Sequence, residues 1–156
     1  MNEEARRLIA ALSLEPLAGE GGFFRRVHTF FDESGAESGS TILYLMAGSE
    51  FSALHKLQSD EVWTFLEGDP VEQLTIDDTG KHSIVQLGKA SEGKSPVSVV
   101  KAGHWQATKP ITIDGWALCT ATMVPPWDEG TFTLADQQLL DLLAQTDEVR
   151  RFIKEK

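Results

Sequence analysis

His55, Glu61 and Gln106 are the residues of this chain whose types and spacing suit shared chemistry. His55 stands six positions before Glu61, and six residues separate Glu61 from Gly68. A carboxylate beside an imidazole raises its basicity, giving a pair able to exchange protons near neutral pH. Proton transfer next to a carbonyl needs a base on one face of the substrate and an acid on the other. His55 suits the base, oriented by Glu61, and Tyr44, the only tyrosine, is the one phenol able to serve as the opposing acid. The same trio offers a divalent ion one nitrogen and two oxygens, a weak set because the amide of Gln106 is neutral. Arg25 follows Gly21-Gly22-Phe23-Phe24 and needs an anion if buried, either a ligand or Glu20.

The chain has 156 residues, 41% hydrophobic and 24% charged, ordinary values for a globular protein and the size of one domain. Its net charge of −10 argues against a nucleic-acid partner, which requires clustered Lys and Arg. No apolar run is long enough to span a bilayer, and the opening Met-Asn-Glu-Glu lacks the basic start of a signal peptide. A cytoplasmic address is therefore expected. Cys119, the single cysteine, lies in an apolar run and reads as a buried, inert thiol. Ser-His-Asp ordering, phosphate-cradling Gly loops and Cys clusters are absent from the sequence, so acyl transfer, nucleotide hydrolysis and zinc-finger roles find no support.

These residues must be positioned mostly by strands. Residues 2–12 read as an amphipathic helix, with Asn2 as N-cap, Glu3 and Glu4 in the first turn and Leu8, Ile9 and Leu12 on one face. From Phe23 the chain becomes short β-rich runs: Phe23–Phe31, Ser40–Ala47, Glu61–Glu67, Val71–Ile76, His82–Leu87, Val97–Val100, Ile111–Ile113 and Trp116–Val124. Turn signals such as Gly68-Asp-Pro and Asp77-Asp-Thr-Gly separate them. Many short strands at this spacing predict an antiparallel sandwich or barrel. Helix returns in the tail, where Leu139, Leu140, Leu142 and Leu143 cluster and Thr146 can cap a segment burying Val149, Phe152 and Ile153. The expected organisation is one domain over 1–156: helix 1–13, β-sandwich 14–135 and helical tail 136–156.

Five motifs together carry a family resemblance. They are Leu14-Glu-Pro-Leu-Ala-Gly-Glu20-Gly21-Gly22-Phe-Phe-Arg25, Ser40-Thr-Ile-Leu-Tyr44, His55 with Ser59-Asp60-Glu61-Val-Trp63, Gly68-Asp-Pro70, and Gly103-His-Trp105-Gln106-Ala. Over roughly residues 6–135 the chain resembles the small cupin proteins of the DUF985, or cupin 5, family, often described as sugar epimerase-like. The resemblance implies an all-β double-stranded β-helix, a jelly roll, paired as a homodimer. The chain departs from the first cupin motif, His-x-His-x3-Glu-x6-Gly, because Leu57 occupies the second imidazole position. Gln106 likewise replaces the histidine of the second motif. The closing segment, Pro125-Pro126-Trp127-Asp-Glu-Gly130-Thr-Phe132, is one acid short of the family pattern.

Alternate residues of a strand share a face, so Glu61, Trp63 and Phe65 point together, and the cupin placement turns them inside. With His55 and Gln106 at one level they imply an apolar cup, the usual character of a small-molecule site. Catalysis would rest on His55, Glu61 and Tyr44, and ligand contacts on Arg25, Phe24, Trp63, Phe65, Trp105 and Gln106. No cofactor is expected. A divalent ion, if held at all, would be held weakly by His55, Glu61 and Gln106. The readings are a metal-independent sugar or nucleotide-sugar epimerase, a non-catalytic sugar- or nucleotide-binding protein, and a metal-dependent cupin enzyme with a degenerate site. His28, His82 and His104 are read as lying outside the cup.

Overall fold

The computed structural model describes residues 1–153. In chain order the chain forms α1 (Glu3–Ala11), β1 (Glu15–Pro16), β2 (Phe23–Phe31), β3 (Glu37–Ala47), β4 (Ser52–Leu57), β5 (Glu61–Gly68) and β6 (Val71–Ile76). There follow β7 (His82–Leu87), β8 (Val97–Val100), β9 (Trp105–Pro110), β10 (Trp116–Met123), β11 (Phe132–Leu134), α2 (Gln137–Leu143) and α3 (Asp147–Arg150). Two antiparallel sheets result, ordered β1-β2-β3-β10-β5-β8 and β11-β4-β9-β6-β7. They face each other as the expected jelly roll.

Three apolar clusters hold this arrangement. Phe51, Phe65, Val71, Leu87, Val100, Ala117 and Cys119 belong to the cluster between the sheets, and burial pushes the Cys119 thiol up to about 12. On the outer face of the first sheet, Ala5 and Leu8 of α1 pack on Leu45, Ala47 and Leu118. Asn2 caps that helix as expected, its Oδ1 accepting from the Glu4 amide at 2.8 Å. On the outer face of the second sheet, Val149 and Phe152 join Leu54, Leu74, Ile76 and Ala107, with Leu139, Leu140 and Leu143 alongside. Leu142 does not join them and is 63% exposed, because it falls on the far side of the α2 turn.

The strand expectations need two corrections. Ile111–Ile113 is no strand: β9 ends at Pro110, the chain turns, and Ile113 stands 89% exposed. Conversely β4 and β9, which carry His55 and Gln106, lie outside the apolar runs because polar residues occupy their inner face. Among the described residues no helix is long and apolar enough to cross a membrane.

Gly68 shows why this motif position takes glycine. Its φ is +100°, and a Cβ there would sit 2.4 Å from the Trp116 carbonyl oxygen. The residue lets β5 close tightly against the start of β10.

Candidate active site at the mouth of the barrel

The interior divides along its length. The β10 residues Ala117 and Cys119 face the packed half, while Ala121 and Met123 border a cavity of about 120 Å³. Strand β5 divides the same way: Glu61 and Trp63 line the cavity, whereas Phe65 belongs to the packed half. All three point inward, as their alternation predicts, with Val62 and Leu66 exposed between them. Leu17, Phe24, Ile42, Leu57 and Trp127 supply further apolar wall.

Glu61 is the polar centre of this space. Its Oε2 accepts from Trp63 Nε1 at 2.9 Å and from Gln106 Nε2 at 2.7 Å. Burial raises its carboxyl above the ordinary range, nearby His55 pulls it back, and the charge of Glu20 adds to the rise. Because Oε2 already accepts from the indole, the Gln106 amide must turn its NH₂ side towards it. That leaves Gln106 Oε1 as the buried side-chain atom without a hydrogen-bond partner among the described residues.

His55 reaches the same level from β4 through a register shift. Ser52 pairs with Thr108 and His55 with Gln106, so two residues three apart both face inward. The imidazole Nδ1 lies 2.8 Å from the Ala53 carbonyl oxygen, which can only accept, so Nδ1 carries a hydrogen. The ring stacks on Phe132 with centroids 5.4 Å apart. Glu61 was expected to bond this imidazole or a ligand, and its protein partners are Trp63 and Gln106 rather than His55.

Glu20 takes the place next to the imidazole. The turn before β2 folds into the barrel mouth: the Ala53 amide donates to the Glu20 carbonyl at 3.0 Å, and Ser52 Oγ donates to Glu20 Oε1 at 2.7 Å. Glu20 Oε1 lies 3.9 Å from His55 Nδ1. Tyr44 donates its hydroxyl to the Gly21 carbonyl at 2.5 Å and meets Trp63 edge-on. Burial, then Glu20, hold its phenol well above the ordinary range. At Gly22 a Cβ would fall 2.6 Å from the Tyr44 hydroxyl, so the turn closes on Tyr44 only with glycine there.

Two expected ligand contacts lie elsewhere. Arg25 is exposed and pairs across the sheet with Leu43, whereas its neighbour Phe24 pairs with Tyr44 and lines the cavity. Consecutive residues of a strand face opposite ways, so Phe24 and Arg25 cannot share a site. Arg26, not Arg25, borders the opening. Trp105 is likewise turned out from Gln106, packs on the outer cluster and carries Lys56 Nζ 4.8 Å above its ring. Sequence reasoning missed Glu20, Arg26, Trp127 and Phe132 as site residues; the run Gly19-Glu-Gly-Gly was the available signal for the first. His28, His82 and His104 do not line the cavity, and His82 bonds Glu148 on α3 at 3.0 Å.

The family described as Cupin superfamily (DUF985), Cupin_5, matches residues 6–135, and the chain belongs to it. Among solved structures it is similar to a protein from Shewanella oneidensis, at 27% identity and TM-score 0.82, covering 100% of this chain and 99% of that one. It is also similar to a hypothetical protein from Leishmania major, at 24% identity and TM-score 0.78, covering 97% and 99% respectively. An oxalate decarboxylase variant from Bacillus subtilis shares the fold at 14% identity and TM-score 0.61, covering 88% of this chain and 36% of that one. No curated protein matches the chain.

The cupin fold raises the question of a metal, and the residues here do not fit one. Leu57 presents an apolar side chain to the cavity, and Gln106 turns donor hydrogens towards Glu61. Among the described residues no three His, Cys, Asp or Glu side chains are grouped to hold an ion.

Proposed function

We propose that this chain is a small-molecule cupin that exchanges a proton with a compact, sugar-like ligand without a metal, as epimerases and isomerases do. Glu61 is the exchanging group. The observation that carries the reading is a carboxyl lining an apolar cavity, raised by burial and oriented by two neutral donors. A carboxyl raised towards neutrality is suited to both accept and return a proton at working pH. His55 acts behind it as a positioning residue, close to both Glu61 and Glu20. A cavity of about 120 Å³ lies well under the several hundred Å³ usual for ligand sites. It suits the reacting end of a sugar, with the remainder outside the opening near Arg26 and Trp127.

Deuterium incorporation from D₂O into a panel of 4-keto-deoxysugar nucleotides tests this. Glu61→Gln should lower the exchange rate by about 100-fold, the usual worth of a placed acid or base, and His55→Ala should lower it too. A second reading, binding without catalysis, is favoured by Tyr44, whose hydroxyl is committed to the Gly21 carbonyl and so is not poised as the opposing acid. Wild-type exchange no faster than that of Glu61→Gln would select binding alone.

A further inference from the structure

The hydrogen-bonding inventory of the cavity floor points to the chemistry of what enters it. Apart from Ser40 on the wall and Arg26 at the opening, the donors there are engaged within the protein. Tyr44 Oη donates to Gly21, Ser52 Oγ to Glu20, and Trp63 Nε1 and Gln106 Nε2 to Glu61. Around Glu61, what remains open is of one kind. Gln106 Oε1 is buried without a partner behind Glu61, and no protein donor among the described residues bonds Glu61 Oε1. Gln106 is only 1% exposed and does not itself line the cavity, but it bonds Glu61, which does, so these two acceptors belong to one cluster.

Charge points the same way. Two carboxylates, Glu20 and Glu61, line the cavity, and its one basic lining residue among those described, Arg26, is exposed at the opening. An anionic group brought to Glu61 would meet acceptors and negative charge. A hydroxyl offers one hydrogen, and its lone pairs would oppose the acceptors. An ammonium offers three hydrogens, no lone pair and a compensating charge. The walls around it include the aromatic residues Phe24, Tyr44, Trp63 and Trp127, a ring type whose faces favour a cation.

We propose that the cavity selects a small organic amine, such as an amino sugar, which enters ammonium-first towards Glu61. This rests on the reading of the cavity as the ligand site, and it names the ligand class. The sugar ring would then lie at the opening against Trp127.

NMR titration of the full chain with glucosamine, glucose and glucuronate provides the test, since these share a ring and differ in the group presented. Glucosamine should bind at least about tenfold more tightly than glucose, as a charge-assisted set of bonds replaces neutral ones, and glucuronate more weakly still. Glu61→Gln should lose that preference, whereas Asp78→Asn, which removes an exposed carboxylate from the β6–β7 turn, should keep it. Glucose or glucuronate binding as tightly as glucosamine would overturn the amine assignment while leaving a small-molecule site in place. So would a preference that survives in Glu61→Gln. Failure of all three sugars to bind also overturns it, and deuterium exchange then decides separately whether the proton-transfer reading stands.

Discussion

Glu61 and Glu72 are two carboxylates buried to nearly the same degree in one barrel, and their surroundings differ in kind. Glu72 lies on the outer face of the second sheet and pairs with Arg151, just after α3, at 2.7 Å. Lys109 braces the same place by donating to the Arg151 carbonyl at 2.9 Å. Its charge is answered by the protein itself. Glu61 faces the barrel mouth, bonds only neutral donors and sits within reach of a second carboxylate. Burial alone therefore does not mark a functional acid. The distinction lies in whether the fold completes the group's partners or leaves acceptors open beside a cavity.

The comparison breaks most severely at Trp63. This indole is 1% exposed, bonds Glu61 and packs edge-on against Tyr44. Trp63→Ala should cost about 3–5 kcal/mol through the lost burial and the void left behind. Urea unfolding reads this directly; a loss below about 1 kcal/mol, the size usual at an exposed site, would mean that the mouth is not packed as described.

Arg151→Ala probes the other carboxylate. Removing the cation leaves Glu72 under the tail with Lys109 as the remaining nearby charge. Since the arginine is 44% exposed, the expected loss is about 1–2 kcal/mol, less than a fully buried pair would show. Sugar binding at the mouth should not change. Altered binding would show that the two regions are coupled.

Glu61→Gln gives the smallest effect and the sharpest sign. The folded carboxyl is raised above its unfolded value of 4.5, so the native state holds that proton more firmly. This contribution is complete below the unfolded value and disappears as pH rises through the folded one. Relative to wild type, Glu61→Gln should accordingly gain stability as pH rises from below 4.5 through the titration of the raised carboxyl. Parallel urea midpoints across that range for the two proteins would contradict the raised carboxyl.

Much of the mouth was legible because it depends on parity. Glu61, Trp63 and Phe65 alternate with Val62, Thr64 and Leu66, and no tertiary information is needed to put the first three on one face. The same rule, applied to neighbours, excludes Phe24 with Arg25 and Trp105 with Gln106 as joint site residues. Which member of each pair turns inward depended on pairing, Phe24 with Tyr44 and Gln106 with His55. Phe65 faced inward as expected but lies one pleat too deep to meet the cavity. Glu20 was hidden for another reason: it belongs to a turn without periodicity, and only contacts with Ser52 and Ala53 carry it into the barrel.

The amino-acid order alone determined the alternating strands, the capped first helix and the loss of two imidazole positions at Leu57 and Gln106, since each depends on local geometry or on residue type. Tertiary structure decided which carboxylate stands beside His55, which arginine reaches the opening and which polar atoms remain unpaired. Those outcomes arise where distant segments meet, and the hydrogen bonds between them have no counterpart in sequence spacing.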